Sequence, residues 1–170
     1  MLKIISGFRR RRLRPLLQFR RRQWHRLIGE LRRRGNHGDR ESGAFLLGRS
    51  GSNAVSRIVY LDDLDAHCLQ GGIRLDGLAY SRLWDICEHE ALVVLGDVHT
   101  HPGDFVRQSG IDAENPMVSR RGHVAIIVPH LAMHSVIPQD IGVHEYDGAD
   151  GWSTWLGSEA ADRVLVRGWW

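Results

Sequence analysis

His99 and His101 stand at the end of the apolar run Leu92–Val98 and are followed at once by Pro102. In an extended strand, residues i and i+2 point to the same side, so both imidazoles can reach one metal ion. Pro102 cannot continue a central strand, which puts the pair at the strand's end. Two nitrogens do not make a catalytic zinc site, which takes a third protein ligand and keeps an open position for water. Seven residues after His101 (Pro102–Gln108) comes Ser109, and two more (Gly110, Ile111) lead to Asp112. If Ser109 caps a helix, Ser109 and Asp112 share one helical face, three residues apart. Asp112 can then supply the carboxylate ligand, and Ser109 can aim its hydroxyl at the substrate position.

The elements that must hold these residues are legible around them. Trp24, Leu27, Ile28 and Leu31 fall at i, i+3, i+4 and i+7, which predicts a helix over Gln23–Arg34 stopped by Gly35-Asn36. Gly43–Gly48 is a short apolar run between glycines, read as a buried strand, and Ala54–Leu61 is read as a second. Residues 62–75 read as an irregular connection. Asp76 can cap a helix whose apolar face is Tyr80, Leu83, Trp84 and Cys87. A strand over Leu92–Val98 carries the histidines, and residues 103–120 form a loop leading into the helix begun near Ser109. His123–Val128 is another buried strand. Ile141–Tyr146 and Trp152–Trp155 flank a hairpin turn at 147–151, and Val164–Val166 is a last strand. Strands interleaved with two or three helices make an α/β or α+β class, and 170 residues suit one domain.

The string His-Thr-His, seven residues, Ser, two residues, Asp resembles the signature of the JAMM, or MPN-plus, zinc metalloproteases. That family also needs a glutamate at the start of a strand following its first helix. Glu41-Ser42-Gly43-Ala44-Phe45-Leu46-Leu47-Gly48 stands in that place, after the helix Gln23–Arg34. The resemblance covers roughly residues 20–160, and no member of the motif departs from it. It implies a curved mixed β-sheet flanked by helices, with a cytidine-deaminase-like architecture. It implies one catalytic Zn²⁺ held by His99, His101 and Asp112, with Glu41 and Ser109 as catalytic residues. Zinc lowers the pKa of bound water to about 7. Glu41 would take the water's proton and pass it to the departing amine, and Ser109 would donate a hydrogen bond to the oxyanion.

The implied substrate is the C-terminal tail of a ubiquitin-like protein and its conjugates, cut after the terminal glycine. The chain lacks the extra cysteine and histidine cluster of some eukaryotic deubiquitinases, so it looks most like the small prokaryotic members. Those accompany activating and conjugating enzymes in one operon, in conjugation pathways that include antiphage defence. Others process sulfur carriers. Twenty-two arginines against one lysine, Lys3, favour a GC-rich bacterial genome.

The formal net charge is +3, but its distribution says more. Residues 1–40 carry 14 of the 23 basic residues and only Glu30 and Asp39 as acids, hence +12, and residues 41–170 are −9. The domain expectation is therefore an arginine-rich extension over 1–20, centred on Arg9–Arg12 and of a kind that often stays disordered, joined to a JAMM-type domain over 21–170. The arm supports one rival reading, a basic nucleic-acid-binding module, discriminated by salt dependence and indifference to chelator. The preferred reading involves neither nucleic acid nor membrane. No apolar run approaches about 18 residues, and Met1–Arg14 has no apolar core of a secretory signal, so a cytoplasmic protein is expected.

Other motifs carry less. Gly43 to Gly48-Arg49-Ser50 superficially resembles a phosphate loop, but it lacks the lysine and encloses apolar residues. His89-Glu90 has Val93 where a helical zinc motif needs its second histidine, and no Gly-x-Ser-x-Gly elbow occurs. Cys68 and Cys87 are too few for a disulfide framework. His25 and His37 read as solvated, and His67, His89, His130, His134 and His144 as surface or hydrogen-bonded residues. His123 opens a strand and could support the site from behind. Trp152, Trp155, Trp169 and Trp170 read as core or edge packing.

Overall fold

A computed structural model describes residues 13–168; the Arg9–Arg12 run and the Trp169–Trp170 pair lie outside them. Strand β1 (Leu17–Arg20) leads directly into helix α1 (Arg21–Arg34). Leu17 and Phe19 are buried, so this strand, which falls within the expected 1–20 extension, packs against the rest of the fold. The helix starts two residues before Gln23, because Arg21 and Arg22 carry no apolar signal. Trp24, Leu27, Ile28 and Leu31 form its buried stripe as expected. Strand β2 (Gly43–Gly48) is buried at all six positions.

Strand β3 is confined to Arg57–Tyr60. The expected start at Ala54 fails because the chain changes partners: Val55 N–H donates to Gln18 O of β1 at 2.9 Å before β3 joins β2. A single helical turn, α2 (Leu61–Leu64), follows, with Asp62 and Asp63 at its positive end. Helix α3 (Gly77–His89) is capped by Asp76, whose carboxylate accepts from Ala79 N–H at 2.8 Å. Its buried stripe is Ala79, Leu83 and Cys87, and Trp84 is 46% exposed. Trp84 lies about 100° round from Leu83, at the margin of the stripe.

The remaining elements are β4 (Val93–Thr100), α4 (Gly110–Glu114), β5 (Val124–Val128), β6 (Gly142–Tyr146), β7 (Trp152–Trp155), α5 (Ser158–Arg163) and β8 (Val164–Arg167). Six strands form a mixed sheet in the order β3-β2-β4-β5-β6-β7, in which β4 and β5 are parallel and the other pairs antiparallel. Strand β8 does not join it and pairs in parallel with β1. No helix among the described residues is long and apolar enough to cross a membrane.

The sheet lies between two cores. Ala44 and Leu46 of β2 face α1 in one cluster, and Phe45 and Leu47 face α3 in the other. A strand covered on both faces reads as a continuous apolar run, which is why Gly43–Gly48 shows no alternation. In β4, Val94 faces the α3 side and Val98 the α1 side. The β2–β4 register shifts so that Leu46 opposes Gly96 while Leu47 opposes Val94. Leu95 is thus an extra residue, a bulge. In a regular strand, Val94 and His99 would point to opposite faces, five positions apart. The bulge lets both face the α3 side, as bulges beside sites do.

Candidate metal centre

The site is built by continuing the β2–β4 ladder past its last named pair, Gly43 with His99. Thr100 N–H donates to Ser42 O at 3.0 Å, and Ser42 N–H donates to Thr100 Oγ1 at 3.0 Å. One more step sets Glu41 opposite His101. Gly43 is required here: a Cβ would meet Val98 O and Leu61 at 2.8 Å. Ser42 Oγ donates to Leu31 O at 2.7 Å, tying the strand to the end of α1.

His99 and His101 point the same way, as their spacing predicts, with Nε2 atoms 3.2 Å apart. Asp112 closes the triangle, Oδ2 lying 3.3 Å from His101 Nε2 and Oδ1 3.8 Å from His99 Nε2. These three residues are a group that could hold a metal ion. A tetrahedral ion about 2.1 Å from nitrogen and oxygen ligands sets them about 3.4 Å apart, close to this spacing. The donor chemistry fits as well. His101 Nδ1 lies 2.9 Å from Phe105 O, a carbonyl that can only accept, so Nδ1 carries the proton and Nε2 presents a lone pair.

Asp112 owes its place to Ser109. Ser109 N–H donates to Asp112 Oδ2 at 2.9 Å, and Asp112 N–H donates to Ser109 Oγ at 3.2 Å. This reciprocal capping box explains the spacing of three, since N-cap and N3 must face each other. One carboxylate therefore starts helix α4 and faces both histidines. Burial alone would raise the Asp112 pKa, but His101, His99 and Ser109 hold it far below the usual carboxylate range.

Asp97, which the sequence reading missed, stands behind His99. Asp97 Oδ1 lies 2.6 Å from His123 Nε2. Asp97 Oδ2 and His99 Nδ1 are buried, lack hydrogen-bond partners and face each other at 3.5 Å. Burial would raise the Asp97 pKa, but His123 and then His99 outweigh it and keep the carboxylate ionised. Burial would lower the His99 pKa, but the facing carboxylates of Asp112 and Asp97 raise it to about 9. The missed signal was an acid inside the apolar run, two before His99 and so on its face. The expected supporting role of His123 is realised through this carboxylate.

His144 is also buried and braces the loop after His101. Burial lowers its pKa and favours the neutral ring. Its Nε2 lies 3.0 Å from Val106 O and its Nδ1 2.9 Å from Thr154 Oγ1, so Nε2 donates and Nδ1 accepts. Gly142 makes room for that loop, since a Cβ there would fall 1.8 Å from Val106 O. His130 and His134, four apart, do not share a helix. His130–Ala132 is a short 3-10 turn with φ near +50 to +60° at each residue. Its Leu131 N–H donates to His101 O at 2.8 Å, clamping the strand end.

Glu41, His99, His101, Ser109 and Asp112 line one cavity of about 890 Å³. The four residues singled out by spacing are thereby brought together with Glu41, which the resemblance implied. The cavity's other walls are largely apolar, with Tyr80, Ile73, Leu75 and Met117 on one side and the exposed Phe105 and Ile111 near its mouth.

The chain matches no model of a known protein family. Its fold is similar to that of a protein from Desulfitobacterium hafniense, at 18% identity, covering 90% of this chain and 94% of that one with a TM-score of 0.60. A protein from Salinibacter ruber is similar at 16% identity, covering 89% and 92%, with a TM-score of 0.58. A JAB1/MPN domain protein from Archaeoglobus fulgidus aligns at 16% identity over 88% and 96%, with a TM-score of 0.45.

Proposed function

We propose that this chain is a zinc-dependent peptidase and isopeptidase of the JAMM or MPN-plus type. Its substrate is the C-terminal tail of a ubiquitin-like protein, cut after the terminal glycine during precursor maturation and deconjugation. The observation that carries the reading is the meeting of His99, His101 and Asp112 with Glu41 and Ser109 in one cavity.

His99, His101 and Asp112 would hold the ion, which supplies a polarised carbonyl and an activated water. Glu41, half-exposed on the cavity wall, takes the proton of the attacking water and hands it to the departing amine. Ser109 Oγ accepts from Asp112 N–H, which leaves its own hydrogen to donate to the developing oxyanion. The apolar walls exclude water from the rest of the tail. We place this activity in the bacterial cytoplasm, beside activating and conjugating enzymes, in a pathway such as antiphage defence. Processing of a sulfur carrier would use the same residues on a different tail.

The test is incubation of the purified protein with ubiquitin-like and sulfur-carrier precursors extended beyond the glycine. Cleavage after the glycine, abolished by chelator and by Glu41→Gln or His101→Ala in folded protein, is expected. Cleavage undiminished in His101→Ala, or protein that does not take up zinc, would refute the reading. The preferred precursor decides between the two pathways.

A further inference from the structure

The start of α1 is electrostatically inverted. Helix N-termini favour acids, yet the first turn of α1 has none, and Arg20, Arg21 and Arg22 stand there instead. Arg20, Arg22 and Arg26 line a groove of about 460 Å³ between α1 and β3, and Arg57 closes it from the strand. Its floor is Ile58 and Tyr60, half-buried, and among the described residues no acidic side chain lines it. The acids beyond its Tyr60 end are engaged: Arg34 pairs with Asp62, Asp63 and Glu30, and Arg33 with Glu30. Arg57 has Glu90 near it, at 3.5 Å on an exposed surface.

The groove also runs along an open strand. Among the described residues β3 ends the six-stranded order and has β2 as its one strand partner. Its four residues span about 13 Å, enough to pair with an equal length of extended chain. Arginines along such an edge repel basic strands and favour an acidic one.

We infer that this groove docks an extended acidic segment of a protein partner, which adds to the edge of β3 and pairs its carboxylates with Arg20, Arg26 and Arg57. A peptide fits better than a nucleic acid. The edge offers a main-chain ladder that a phosphate backbone cannot use. Tyr60, the one aromatic ring lining the groove among the described residues, has the Arg34 guanidinium over it at 4.1 Å, which takes a face that a base would need. The groove shares no lining residue with the metal cavity, so this docking stands apart from the proposed hydrolysis.

The probe is a short fluorescein-labelled peptide alternating glutamate with valine, read by anisotropy against the full chain with and without chelator. A glutamine-for-glutamate peptide and labelled oligothymidylate serve as controls. The acidic peptide should bind equally in both metal states, and more weakly as salt rises. Arg26→Glu with Arg57→Glu should weaken it by about tenfold or more, while Arg49→Glu, on an exposed turn outside the groove, leaves it unchanged. Circular dichroism checks that the variants are folded. The inference fails if the glutamine peptide binds as well, or if the double variant binds like the parent. It fails also if oligothymidylate binds more tightly, or if the groove holds a second copy of the chain, seen as self-association lost in the double variant.

Discussion

Replacing Asp97 by asparagine isolates the layer behind the proposed metal ligands. The change keeps the shape and removes the charge of a side chain that is 2% exposed. As a carboxylate, Asp97 accepts from His123 Nε2 with one oxygen and turns the other toward His99 Nδ1. A bond to a charged group contributes about 1.5–3 kcal/mol, against about 0.5–1.5 kcal/mol for a neutral one, so the metal-free protein should lose about 1–2 kcal/mol. For a chain of this size the melting temperature then falls by about 2–8 °C. The second effect is on tautomers. The amide has one accepting oxygen; if it serves His123, its NH2 faces His99 Nδ1 and asks that nitrogen to accept. The His99 proton then sits on Nε2, the atom that faces His101 and Asp112. Metal binding must reverse that tautomer, and affinity should fall about 10–100-fold, the usual effect of removing such a support. Competition titration with a chromophoric zinc chelator measures it, with circular dichroism as the folding control. A folded Asp97→Asn protein with the parent's zinc affinity would refute the argument that Asp97 sets the His99 tautomer.

Three further outcomes follow from the same geometry. In the metal-free protein the raised His99 pKa contributes stability that is complete below about 6.5 and lost as pH rises through about 9. The lowered Asp97 and Asp112 pKa values contribute stability present above about 4 and lost as pH falls further. On the proposed reading zinc displaces the His99 proton, so melting curves should show a zinc-induced rise in melting temperature that grows between pH about 6.5 and about 9; a rise that shrinks with pH would contradict the assignment. His144→Ala removes the donor to Val106 O and should loosen the loop that presents Phe105 O to His101, seen as faster amide exchange over 103–108 and weaker zinc binding. Ala91→Gly should stabilise the fold by about 1 kcal/mol, because Ala91 ends α3 at φ +52°, where glycine alone avoids a steric cost, and its side chain is exposed; thermal or urea melting reads it.

The site was legible where its chemistry imposes a spacing. His99 and His101 must alternate on a strand, and Ser109 and Asp112 must sit three apart to cap α4 reciprocally, so local geometry writes both pairs into the sequence. Strand β2 and the stripe of α1 were legible for a similar reason, since each is set by its own burial pattern. Partner changes were not. Ala54–Val55 carries the composition of β3 yet bonds to β1, and β8 leaves the main sheet for the same strand. Both depend on contacts distant in sequence, which no local period encodes. Trp84 was misplaced for a subtler reason: Ala79 and Ile86 fill the stripe from the other side and move its centre toward Leu83.

The bulge at Leu95 connects these two kinds of information. Asp97 and His99 of β4 and His101 just beyond it follow one alternation, while Val94 follows another, and only an extra residue between them reconciles both. A sequence reader sees an apolar strand and a histidine pair and has no means of knowing that their phases disagree. The disagreement matters because the α3 side is where Tyr80, Met117 and the cavity lie. Had β4 been regular, packing Val94 toward α3 would turn His99 toward α1, into the cluster of Trp24 and Leu31. Burying an ionisable pair there without partners would cost more than the core gains. The bulge thus lets one strand serve an apolar core at its start and a polar centre at its end. Gly96 accompanies it, since a Cβ beside the bulge would fall 2.1 Å from Val124 O of the parallel neighbour.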